Sequence, residues 1–527
     1  MALDEKPHTQ NHQDASTHKK SSHQGMGKRG VTRPMAMHQS HQNSHQDHQK
    51  MSMEQRMEML QMHHQQTLWV YWSLIILGVW TILAPFTFGY LNEELWVNPS
   101  GGRGVWFSND TYTELRALLM AWSDVISGLI LCIFGWRSLT ADRPISLWIC
   151  CFVGVWLNLA PLIFWAPTAA AYYNDTIVGA LIIALTILIP GMPNMIKFMQ
   201  MGPATPKGWT YNPSSWPQRW IMIVFAFLGW IVSRYLAVYQ LGYIDYVWDP
   251  FFSFENGTQR VLDSSMSHSW PVSDAALGAF SYTFEFLMGW MGSTSRWRTM
   301  PWMVLFFGIL VIPLGLVHIV LVISQPVVVG YWCSMCLLAA ILMLPMIPLA
   351  ADEVVAMGQH MVQAKRRNDQ GGSVWKIFWF GGSAEGTSAD ERSPDLANFP
   401  DQPSKVFKSS LWGMSFPFYL SLATVLGIGL MFVPTLLDVD APASHIPHLA
   451  GALIVTVAVI SMGEVLRIGR YLNLLICAIA GIAVWFVGDF HLLFSLVTTL
   501  IVIAVALLSL PRGVKKESYG TWDRFFR

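Results

Sequence analysis

The chain has 527 residues, with 33 Lys+Arg against 33 Asp+Glu, so its formal net charge is zero. Only 13% of residues are charged and 53% are hydrophobic, giving a mean hydropathy of +0.38, more apolar surface than a water-soluble chain of this size can hide. The composition excludes an ordinary soluble globule, zero net charge excludes nucleic acid as a partner, and the 25 Trp, 29 Phe and 28 Met suit membrane lipid and its interfaces.

Residues 1–65 stand apart. They are polar and repetitive (HQNSHQDHQK, QMHHQQ) and hold 10 of the 16 His. No apolar segment precedes residue 67, so a disordered His/Gln/Met-rich tail is expected, neither a signal peptide nor a folded domain. Imidazole and thioether groups there could bind copper or nickel loosely, but no fixed ligand spacing appears and no metal site is assigned.

From residue 67 onward, apolar segments alternate with short polar ones. The predicted spans are 67–91, 116–136, 146–166, 173–195, 219–239, 273–291, 302–323, 327–350, 413–434, 447–463, 471–487 and 491–510. Most are long enough to cross about 30 Å of hydrocarbon at about 1.5 Å per residue. The expected fold is an all-α polytopic membrane protein of about twelve transmembrane helices in three four-helix groups. These occupy 66–200, 216–357 and 411–513, with a linker at 358–410 and a basic tail at 514–527.

Basic residues set the orientation. Arg137 and Arg143, Lys197 and Lys207, Arg296 and Arg298, Lys365 to Arg367, Arg467 and Arg470, and Lys515 and Lys516 all fall on one side. The other side holds little beyond Arg103, Arg116 and Arg260. The positive-inside rule then places both termini in the cytoplasm of a multi-pass cell (inner) membrane protein.

The first spans repeat. Trp72–Pro85 reads WSLIILGVWTILAP and Trp148–Pro161 reads WICCFVGVWLNLAP, each followed by Asp-x-Ile-x-Gly at Asp124–Gly128 and Asp175–Gly179. Weaker echoes lie at Gly427–Pro434 (GIGLMFVP), Gly451–Ile454 (GALI) and Ile476–Gly481, so both ends of the membrane region read as copies of a helix hairpin. These residues resemble the SPW repeat family of bacterial membrane proteins, with Ala-Pro at 84–85 and 160–161 where the family has Ser-Pro. That resemblance brings no catalytic residue. Repeated Pro, Gly and Asp point first to kinking and close packing, and alternatively to a polar pathway through Asp124 and Asp175.

Four of the six Cys (Cys132, Cys150, Cys151, Cys477) lie inside predicted helices without a spaced partner and read as packing residues. The exception is Trp332-Cys333-Ser334-Met335-Cys336. A CxxC at a helix start puts both sulfurs on one face within disulfide reach, where the helix N-terminus favours a thiolate. No second Cys or His pair completes a zinc site, while spacing alone leaves helix packing open.

The flanking Gln325-Pro326-Val327, Leu337 and the outer loop Val261-Leu262-Asp263-Ser264-Ser265 resemble the vitamin K epoxide reductase family over residues 216–357. That family is a four-helix membrane bundle holding a quinone beside the CxxC of its last helix. The resemblance implies that Cys336 faces a quinone of ubiquinone or menaquinone type and that Cys333 exchanges with an incoming thiol. Ser264 and Ser265 fall at the polar position following the family's loop cysteines. Thr258 stands where the later of those cysteines belongs, so an external periplasmic thioredoxin-like thiol protein is expected as the partner.

Arg234 and Glu285 lie within predicted spans and could pair with each other or meet a quinone carbonyl. The aromatic run Tyr243–Phe252 caps a quinone pocket or forms an interfacial belt, and His318 reads as a packing residue. The sequence thus points to a quinone-linked thiol–disulfide oxidoreductase. The alternative is a non-catalytic membrane scaffold or metal-handling protein retaining a degenerate bundle.

Overall fold

Backbone buried in hydrocarbon must satisfy its own N–H and C=O groups, and an apolar run does so within one segment as an α-helix. The computed structural model describes residues 53–99, 110–141, 143–187, 205–252, 256–383, 402–488 and 491–526. Among these there is no strand, only the isolated bridges Trp209–Tyr519 and Met414–Gly463. The protein is a helical multi-pass membrane protein.

The helices are α1 (Met53–Gln66), α2 (Leu68–Thr87), α3 (Asp110–Ser138), α4 (Pro144–Ile163), α5 (Ala169–Ile187), α6 (Trp216–Gln240) and α7 (Gly257–Leu262). They continue with α8 (Asp274–Trp290), α9 (Pro301–Val328, with a π segment around Pro313), α10 (Ser334–Arg366), α11 (Phe418–Leu436), α12 (His445–Ile460), α13 (Leu472–Ala483) and α14 (Leu492–Leu508). Among the described residues nine helices are long and apolar enough to cross a membrane, α13 being counted together with the 3-10 segment Glu464–Tyr471 that leads into it. The helices on three other predicted spans, α8, α12 and α14, have 17, 16 and 17 residues, or about 24–26 Å, short of a full hydrocarbon core.

Three segments differ from expectation. Residues 53–66, assigned to the tail, form α1, which ends with His64 Nε2 3.0 Å from the Leu139 carbonyl; the tail before residue 53 lies outside the described residues. Helix α10 runs to Arg366, nine residues into the expected linker. The C-terminal segment docks: Tyr519 is fully buried, its hydroxyl donates to Glu464 and its carbonyl accepts from Gln359 of α10.

Helices α2–α5 pack in chain order and α5 returns against α2; α11–α14 repeat that ring. Between them α6 packs on α8 and α10, with α9 against α10. The repeated motifs make the hairpins. A Cβ on Gly78 would strike the Gly128 carbonyl and the reverse, and the same reciprocal contact joins Gly154 with Gly179 and Gly427 with Gly451. Only glycine lets two backbones approach this closely.

The repeated prolines end helices. Pro85, Pro161 and Pro434 each lie two residues before a helix terminus. Four residues beyond, Gly89, Trp165 and Asp438 take φ of 63°, 49° and 51°. The next N–H (Tyr90, Ala166, Val439) then returns to the proline carbonyl at 3.0, 2.9 and 3.0 Å, a left-handed C-terminal cap. At the opposite end of the central bundle, Arg296 and Glu353 form a fully buried ion pair at 2.5 Å.

Candidate functional site

Helix α10 begins immediately after Cys333, which serves as its N-cap: Cys333 Sγ accepts the Cys336 N–H at 3.0 Å. The two cysteines form a disulfide with Cα atoms 5.2 Å apart. An i, i+3 pair in the first turn puts both sulfurs against the positive end of the helix dipole, which favours the thiolates formed on reduction.

Cys333 is fully buried, whereas Cys336 is half-buried among Leu337, Ala340 and Met343 of α10. A polar cover seals Cys333. Its N–H donates to Gln325 Oε1 of α9 at 3.3 Å. The adjoining Ser334 N–H donates to Thr258 Oγ1 at 3.2 Å, and the Ser334 hydroxyl donates to Asp249. Asp249 also accepts from the Phe252 N–H at 2.9 Å, the Thr258 N–H at 2.9 Å and the Thr258 hydroxyl at 2.6 Å. Burial alone would raise the Asp249 carboxyl, but the hydroxyls of Ser334 and Thr258 and these amides outweigh it and hold its pKa below the usual carboxylate value.

Thr258, which the resemblance sets where the family has a loop cysteine, therefore rests against the N-terminus of α10. Trp332 completes the cover, stacked on Phe252 at 6.2 Å and edge-on to His448 of α12 at 4.9 Å. In the aromatic run, Phe252 faces the motif, while Tyr246, Trp248 and Phe251 point outward and are 56%, 59% and 76% exposed. His448 escaped the sequence reading, and Gln325 and Asp249 entered it only as parts of motifs, without a role of their own. Asp249 lay in plain view within that run, but its partners are brought to it only by the fold.

The remaining predicted residues do not converge on the cysteines. Ser264 is half-buried and spends its hydroxyl on the Val261 carbonyl at 2.7 Å; Ser265 is exposed in the same turn. Both shape the loop after α7. Arg234 and Glu285 do not pair. In the antiparallel α6–α8 contact, Gly229 faces Tyr282 and Gly289 faces Ile223, which sets Glu285 level with Ala226 and Arg234 level with Leu277. About eight residues of helix, roughly 12 Å, then separate the two groups. Arg234 instead lies over Trp230 at 4.8 Å and over Tyr172 of α5 at 5.6 Å. Glu285 is 1% exposed and neither carboxyl oxygen has a hydrogen-bond partner. Nearby, the Tyr282 hydroxyl donates to the Ala339 carbonyl at 3.1 Å, and its ring meets half-buried His318 edge-on at 6.4 Å, the packing role expected of that histidine.

Fold and site together define a multi-pass α-helical membrane protein with a CxxC disulfide capping the last helix of its central bundle. Residues 220–351 match the model of the Vitamin K epoxide reductase family, and residues 104–188 match the SPW repeat domain. Over the central bundle the chain is thus similar to a family of membrane thiol oxidoreductases. No curated protein and no solved structure matches the chain.

That family implies a quinone, and the surroundings of Cys336 fit one. The wall formed by Leu337, Ala340 and Met343 is apolar; Glu285, a buried carboxyl with no partner, lies one helical turn beyond the Tyr282–Ala339 contact, away from the cysteines.

Proposed function

We propose that the central bundle is a quinone-linked thiol–disulfide oxidoreductase, exchanging electrons between an outside dithiol protein and a membrane quinone of ubiquinone or menaquinone type. The observation that carries this reading is the asymmetry of the disulfide: one sulfur is sealed beneath an outer-loop clamp, and the other is half-open on an apolar wall.

An incoming thiolate attacks Cys333 Sγ once the cover lifts, breaking its bond to Cys336, which leaves as a thiolate at the helix N-terminus. The partner's second thiol then displaces Cys333. The partner ends as a disulfide and Cys333–Cys336 as a dithiol. A quinone, when bound, accepts the electron pair and two protons that return the dithiol to the disulfide. Leu337, Ala340 and Met343 would hold its ring and Glu285 a polar edge, whereas Arg234, Ser264 and Ser265 position the bundle and its loop. In this reading the flanking units at 66–200 and 411–513 brace the redox bundle at 216–357, with 358–410 joining it to the second. Both termini are cytoplasmic and the membrane is the inner one.

The scaffold alternative draws on Thr258 in place of a loop cysteine and on the burial of Cys333. A trapping experiment separates the two. A mixed disulfide persists when the resolving cysteine is absent, so Cys336→Ser should hold a second protein on Cys333 as a heavier, reductant-sensitive species. Cys333→Ser should trap none, and Cys132→Ser and Cys477→Ser should leave dithiol-dependent quinone reduction intact. Full quinone reduction in the Cys333→Ser, Cys336→Ser double variant would end the enzyme reading.

A further inference from the structure

The repeated motifs of the first four-helix unit do more than close hairpins. Trp80, from the Gly-Val-Trp of the first, donates its indole N–H to Asn174 Oδ1 at 2.8 Å. Trp156, from the Gly-Val-Trp of the second, donates to Ser123 Oγ at 2.8 Å. Each indole thus reaches the residue just before the aspartate of the other hairpin, a reciprocal arrangement with pseudo-twofold symmetry. Asp124 and Asp175, one turn from the glycine crossings on α3 and α5, are brought together between the hairpins, and both are fully buried.

Three of their four oxygens lack a donor. Asn174 Nδ2 donates to Asp175 Oδ1 at 3.2 Å, but Asp175 Oδ2, both oxygens of Asp124 and the Tyr90 hydroxyl have no hydrogen-bond partner. Tyr90 is itself fully buried and lies close enough to interact with both carboxyls. The Tyr243 hydroxyl is donated to the Ala166 carbonyl at 2.6 Å. The nearby cations do not reach them: Arg116 donates to Thr113 at 3.3 Å and Arg234 lies over Trp230 and Tyr172, and the N–H groups each leaves unpartnered do not bond the aspartates. Neither forms an ion pair with the aspartates.

Two carboxyls side by side in a buried site cannot both stay ionised without a positive charge between them. We infer that Asp124 and Asp175 hold a monovalent cation, a proton or a sodium ion, in a cage of carboxyl oxygens closed by Tyr90. The second four-helix unit carries an internal contrast. The positions four residues before Gly451 and before Val502, which packs on Gly481, are Pro447 and Thr498, so the same architecture there has no such cage. The inference is independent of Cys333 and Cys336.

The test uses the full-length protein in lipid nanodiscs. In one arm, Tm is compared in sodium chloride and choline chloride. In the other, infrared spectra in H2O and D2O seek an isotope-shifted protonated-carboxyl band. A sodium-specific rise in Tm identifies sodium, and a protonated-carboxyl band identifies a proton. Whichever signal appears should be lost or diminished in Asp124→Asn and in Asp175→Asn and kept in Thr498→Ala. Wild-type protein showing neither signal overturns the inference without recourse to any variant. So does a signal of unchanged size in both aspartate variants.

Discussion

In the proposed reaction, Asp249 is the residue on which access to the disulfide turns. Its carboxylate gathers the Ser334 and Thr258 hydroxyls with the Phe252 and Thr258 amides, fixing Phe252 and Thr258 to the first turn of α10. The folded pKa lies below that of an unfolded chain, so this clamp contributes fully above about pH 4 and fades as pH falls through the folded value. Protection factors over residues 249–262, corrected for the intrinsic exchange rate, should therefore be constant above about pH 4 and fall as the pH drops below it in the wild type. In Asp249→Asn protection should already be low at pH 5, with a local loss on the order of 2 kcal/mol as charge-assisted bonds weaken. Unchanged exchange in that variant would assign the clamp to Trp332 and its aromatic neighbours instead. The cysteine pair was readable because CxxC spacing is a local property of one helix turn. The clamp was not, since Asp249, Thr258 and Ser334 come from separate elements. Nor was the failure of Arg234 to meet Glu285, which depends on the register of two antiparallel helices.

At the scale of elements, glycine crossings hold the hairpins. Gly128→Leu would force a side chain into the Gly78 carbonyl and Ile82, so it should lower stability by roughly 1–3 kcal/mol through overpacking, read as a fall in Tm in detergent. Gly429, two residues from the Gly427 crossing, has open space where a Cβ would stand; Gly429→Ala should leave Tm unchanged or slightly raise it. Equal losses at both positions would mean that the crossing does not set the effect. The helices were legible because hydrocarbon demands long apolar runs, and the repeats because Gly, Pro and Asp recur at fixed spacing. Helix ends were less so: α1 mixes polar residues with scattered Met and Leu, and α10 carries charged residues past the membrane span, so neither boundary has a hydropathy signature.

For the whole molecule, the proposed orientation puts the loop covering Cys333 outside and the segment after α10 in the cytoplasm. Single cysteines introduced at exposed Asn256 and at Ser373, in a background where the native cysteines are blocked, test this on whole cells. An impermeant maleimide should modify Asn256→Cys and spare Ser373→Cys. The reverse would place the disulfide on the reducing side, where such bonds rarely persist.

The central claim is that the Cys333–Cys336 pair exchanges electrons with a membrane quinone, and the redox state of that pair in intact membranes measures it most directly. In quinone-depleted membranes treated with an excess of dithiol, differential alkylation and mass spectrometry should find both cysteines reduced. Once the dithiol is washed out, adding back quinone should return them to the disulfide while the quinone is reduced in equal amount. A pair whose redox state is the same with and without quinone would contradict the account.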